Sequence, residues 1–206
     1  SVETGMAYPA FFDQSPGLKL RDPLAALLGA ADDGIIEYRY VDAVKLAGHS
    51  CPTVAGAWLM ASRALAALYP DQLPERGNIR AEQRAPQNPG VSGVTGAVLG
   101  RITGAAGEGG FKGLGGQHAR RDLLEFGVDI DAEARITRLD TGAALLFDYH
   151  PEFIPPAPEL PPLLARVVGG VDDADEQAEF ARLWQDRVLR ILQNAPDSPL
   201  LTVRPG

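Results

Sequence analysis

Eleven of the chain's 23 glycines fall between Gly90 and Gly116, and this concentration limits the fold more than any other feature of the 206 residues. Gly93, Gly96, Gly100 and Gly104 are three or four residues apart, the spacing that puts them on one face of a helix. Each costs a helix about 1 kcal/mol relative to alanine. A helix that carries them therefore needs a close contact in return, either within the chain or across a subunit boundary. From Gly107 to Gly116 the glycines are too dense for a helix and predict a loop.

The flanking segments are more conventional. A short helix is expected around Leu24 to Leu28, ended by Gly29 and Asp32-Asp33-Gly34. Ile35 to Val41 is rich in β-branched and aromatic residues and predicts a strand, although Asp42 to Leu46 equally opens a helical turn. An Ala-rich helix follows from Pro52 to Tyr69, because proline suits a first turn and Pro70 stops the run. This puts Cys51 at the helix N-cap or just before it. Asn78 to Arg84 predicts a short strand, Arg120 to Phe126 is ambiguous, and Ile136–Leu139 with Ala143–Tyr149 predicts a hairpin around Asp140-Thr141-Gly142. Nine of the seventeen prolines lie from Pro151 onward, and Pro155 to Pro162 predicts an extended linker with polyproline II character. Asp172 to Asn194 is an amphipathic helix with Phe180, Trp184, Val188, Ile191 and Leu192 on one face and acidic residues at its start.

Composition narrows the function classes. With 19 basic against 27 acidic residues the net charge is −8, which disfavours a nucleic-acid partner. No stretch approaches the roughly 20 apolar residues of a membrane span. Ser1 to Phe12 has neither a basic start nor a long apolar run, so it does not resemble a secretory signal, and a cytoplasmic location is expected. The single cysteine, Cys51, excludes an intrachain disulfide and a multi-cysteine zinc or iron–sulfur site.

That cysteine lies in Gly48-His49-Ser50-Cys51-Pro52-Thr53. A thiolate is a strong soft ligand and a neutral imidazole a borderline one, a pairing that suits zinc or a related divalent metal. A helix start favours the thiolate form of a cysteine. The same placement is open to a second chemistry, a cysteine hydrolase or transferase in which Cys51 is the nucleophile and His49 or His118 the base.

The segment Ala47 to Thr53, followed by the small residues Ala55, Gly56 and Ala57, resembles the Gly-His-x-Cys-Pro motif of the FmdE-like family, named for a component of formylmethanofuran dehydrogenase. Thr95-Gly96-Ala97-Val98-Leu99-Gly100 is similar to that family's Thr-Gly-Cys-Thr-x-Gly element, and Glu82 stands where it often has an acidic residue. The resemblance covers roughly Val41 to Phe147. It implies an α+β domain that binds a metal, often zinc, through the His and Cys of the first motif, commonly as a dimer. The chain departs from the pattern at Thr53, where the family usually has glycine, and at Ala97, which replaces a second cysteine. It also has no four-cysteine ribbon. A mononuclear site built on His49 and Cys51 is what remains.

Two ligands seldom hold zinc, so a third is expected from His118, beyond the glycine loop, or from Glu82, which could instead orient His49 or act as a general base. His150 is expected to end a strand in solvent. The Gly107–Gly113 loop lacks the Gly-x-x-x-x-Gly-Lys-Ser/Thr pattern of a nucleotide-binding loop. It nevertheless places Lys112, Arg120 and Arg121 where a small anionic ligand could bind.

The expectation is thus an α+β fold, a mixed or antiparallel sheet packed with helices plus a C-terminal amphipathic helix. Residues 1–150 form the metal-binding domain and 151–171 a proline-rich linker. Residues 172–206 form a helix and tail that pack on the domain or on a partner subunit. The expected assembly is a homodimer with one zinc-like ion per chain, its role as catalyst or accessory left open.

Overall fold

The computed structural model describes residues 7–194 and 196–206. Of the stretch Ser1 to Phe12, read above for a signal, residues 1–6 lie outside the described residues. The helices are α1 (Pro23–Leu27), α2 (Tyr40–Ala47), α3 (Pro52–Leu68), α4 (Ser92–Thr103), α5 (Leu160–Val168) and α6 (Ala174–Leu192). The strands are β1 (Leu18–Arg21), β2 (Ile35–Tyr38), β3 (Ile79–Gln83), β4 (Leu124–Glu125), β5 (Ala134–Arg138), β6 (Ala144–Tyr149) and β7 (Leu201–Pro205). The fold is α+β. A five-stranded sheet runs β4-β3-β5-β6-β7, antiparallel except for the parallel β3–β4 pair, and β1–β2 form a separate antiparallel ribbon.

Helix α3 is the centre of the core. Eleven of its 17 residues are buried, among them Val54, Ala55, Ala57, Trp58, Met60, Ala61, Ala64 and Leu65. Small side chains let neighbours approach from several sides: the sheet on one, α2, α4 and α6 on others. The sheet face toward the helices carries Ile79, Ala81 and Gln83 of β3, Ala134 and Ile136 of β5 and Phe147 of β6, all nearly inaccessible. Strand alternation sends Arg80, Glu82, Arg135 and Thr137 to the opposite face. Phe12, Tyr40 and Trp58 stack edge-to-face beside α3.

The glycine spacing is explained by a contact within the chain. A Cβ on Gly96 would collide with the Phe126 ring and lie 2.8 Å from Gln83 Nε2, and one on Gly100 would lie 2.6 Å from the Ala105 carbonyl oxygen. Gly104 is not in the helix but closes it, in the left-handed conformation at φ 81°.

Two elements differ from expectation. The strand from Ile35 stops at Tyr38, because the Asp42 carboxylate accepts the Arg39 N–H at 2.7 Å and starts α2 at Tyr40. The proline-rich stretch is not an extended linker throughout. Pro161 and Pro162 occupy the first turn of α5, where their missing amide hydrogens cost nothing. The C-terminal helix α6, capped by Asp173, packs on α3 and α5, burying Val188 and Ile191 as expected and also Leu183.

Asp22 ties the β1–β2 ribbon to the rest. It is 3% exposed, caps α1 by accepting from the Leu24 and Ala25 amides, and receives Arg76 at 2.9 Å and Arg120 at 2.6 Å. Burial alone would raise its carboxyl, but hydrogen bonds from Arg76 and the Ala25 amide and the Arg120 charge reverse this and hold it below the ordinary carboxylate value. A depressed native value contributes stability above the ordinary carboxylate range, and that stability is lost as pH falls through the native value. Urea unfolding should therefore show stability falling from about pH 4 downward, an acid-side loss that Asp22→Asn makes smaller. That substitution should also cost about 3–5 kcal/mol at neutral pH, because it leaves two arginines without their carboxylate.

Candidate functional site

The segment from Gly48 to Pro52 is the turn between α2 and α3. Gly48 ends α2 in the left-handed conformation at φ 80°, which redirects the chain so that α3 can start four residues later. Cys51 is extended, at φ −148° and ψ 172°, and is the N-cap of α3 with Pro52 in the first turn. Its Sγ accepts the Val54 N–H at 3.5 Å, so the sulfur does the work that a serine oxygen does at most helix starts. Cys51 is buried, 8% exposed, while His49 two residues earlier is exposed with Nδ1 3.1 Å from the Ala47 carbonyl oxygen. The imidazole is therefore at the surface, with the thiol at the helix start beneath.

Four side chains that no motif in the sequence associates with this turn hold it, three of them by its backbone. Tyr40 Oη and Ser50 Oγ are 2.8 Å apart. The Ser50 carbonyl accepts both the Trp184 indole N–H and the Gln185 amide N–H of α6, each at 2.9 Å. Tyr149 donates its hydroxyl to the Pro52 carbonyl at 2.6 Å, and its ring lies so close over Gly56 that a Cβ there would collide with it. Burial pushes the Tyr40 phenol well above its ordinary value against the Ser50 hydrogen bond, with Cys51 adding to the rise. Burial does the same to Tyr149, opposed by Arg187 and reinforced by Cys51. Both phenols stay protonated at neutral pH. These partners sit 10 to 135 residues from Ser50, without a period or motif linking them to it.

The other candidate ligands are not brought to this turn. Glu82 is 5% exposed on the far face of the sheet and is held by Arg135 through two hydrogen bonds of 2.8 Å, a cross-strand pair. Its carboxylate is spent there, so the expected roles as ligand, His49 partner or base have no geometric basis. His118, at φ 62°, lines a cavity with Asn78 and Leu139. That cavity is at the opposite end of α3 from Cys51, since the neighbouring Arg138 donates to the carbonyl of Leu68, the last residue of the helix. Seventeen residues of helix separate the two ends by about 25 Å. His150 is partly exposed, with Nδ1 3.4 Å from Glu152. Lys112 and Arg121 are exposed, whereas Arg120 turns inward to Asp22, so these three do not make one basic patch. Among the described residues no group of three or more His, Cys, Asp or Glu side chains could hold a metal ion. His49 and Cys51 are an imidazole and a thiol two residues apart, and no third side chain of these types is grouped with them among the described residues.

No family model matches the chain, and no curated protein matches it. Among the described residues no helix is long and apolar enough to cross a membrane.

Tyr149 is also held through its backbone, whose N–H donates to Glu133 Oε2 at 3.0 Å while the Glu133 N–H donates to Asp148 Oδ1 at 2.9 Å. Burial raises the Glu133 carboxyl, the Tyr149 amide opposes that, and Asp148 adds to the rise. With the native value above the unfolded one, the contribution is full below about pH 4.5 and is lost as pH rises through the native value. Glu133→Gln keeps an oxygen for the Tyr149 amide and removes the buried charge. Thermal melts from pH 4.5 to 7 should show this variant losing less stability across that window than the wild type and melting higher at pH 7.

Proposed function

We propose that the chain binds a zinc-like divalent metal ion through the His49 imidazole and the Cys51 sulfur, in the manner of the FmdE-like family it resembles. The observation that carries this reading is the placement of Cys51 as the N-cap of a 17-residue helix, two residues from an exposed histidine. A soft sulfur donor and a borderline nitrogen donor are then two residues apart on a backbone that is held from several sides. The proposed protein is a cytoplasmic homodimer, with the remaining coordination positions filled by a second copy, water or a small molecule. A bound ion of this kind supplies Lewis acidity to a carbonyl or anionic group.

The chain's own residues have distinct parts in this reading. The sulfur stands at the amino-terminal, positive end of the α3 dipole. Trp184 and Gln185 fix the Ser50 carbonyl, and Tyr149 fixes the Pro52 carbonyl, so the peptide groups on both sides of Cys51 are constrained. A thiol nucleophile activated by His49 is the weaker reading, because Cys51 Sγ is engaged by the Val54 amide and His49 Nδ1 is beside the Ala47 carbonyl oxygen.

Equilibrium dialysis against zinc or cobalt, followed by elemental analysis, should give about one ion per chain, the stoichiometry of a mononuclear site. His49→Ala and Cys51→Ala should each lower the affinity at least tenfold, and cobalt should give a thiolate charge-transfer absorption that Cys51→Ala abolishes. Metal content unchanged by both substitutions would overturn the assignment. Sedimentation at micromolar concentration should show a dimer, and a monomer there would remove the second copy as a source of ligands.

A further inference from the structure

We draw no further inference here: the strongest candidate, the apolar cavity of about 520 Å³ between Phe11 and Ala178, Ala181 and Leu189 of α6, carries nothing, because the charged residues in its wall, Arg182 and Asp186, are paired within α6 to Glu179 and Arg190 and nothing in the structure shows what covers it.

Discussion

A helix buried along most of its length must have both of its ends satisfied by something other than water, and this requirement organises the molecule. The amino-terminal end of α3 is answered by the Cys51 sulfur, which accepts the Val54 amide hydrogen. The carboxyl-terminal end is answered by Arg138, which donates to the Leu68 carbonyl, covers the Tyr69 ring at 4.2 Å from its centroid and is itself paired with Asp71 and Asp140. Everything that surrounds the helix is adapted to its narrow girth: Gly56 admits the Tyr149 ring, and alanines face the sheet and the neighbouring helices. Small residues along α3 therefore give the core its density, and polar groups gather at its two ends.

Those two ends have different characters. At the start, donors to backbone carbonyls come from Tyr149, Trp184 and Gln185, all neutral, and the Cys51 sulfur stands at the amino-terminal end of the helix. At the far end the groups are ionic, with Asp22, Arg76 and Arg120 sharing charge in a nearly dry setting. The first is a matter of neutral hydrogen bonds to backbone carbonyls, the second of carboxylate and guanidinium charge in balance. The sheet's outer face has a third character, since Glu82 and Arg135 neutralise one another across β3 and β5.

How much of this is legible in the sequence depends on whether the signal is local. Cys51 as an N-cap can be read from the Cys-Pro step and the alanine run after it, and the amphipathic face of α6 from its period. The glycines at 96 and 100 announce a close contact because their cost demands one, but not that Phe126, Gln83 and Ala105 supply it. Glu82 looks available because a strand position says nothing about which face the helices will cover. One residue of alternation sends it away from α3 and into the Arg135 pair. His118 fails for a related reason: a glycine-rich loop has so many accessible paths that spacing alone does not say where its end arrives. Pro161 and Pro162 suggest an extended chain, yet a proline is as acceptable in the first helical turn as in polyproline II, and only the contact of α5 with α6 decides between them.

The double hydrogen bond from α6 to the Ser50 carbonyl joins residues 134 and 135 positions apart in the chain. Synthesis proceeds from the amino terminus at about 5–20 residues per second, so the motif leaves the ribosome on the order of 10 s before the groups that clamp it. During that interval the Cys51 turn lacks the α6 roof, and its thiol meets the cell in a more open setting than it has in the finished fold. Formation of the turn and closure of the last helix over it are thereby separated in time.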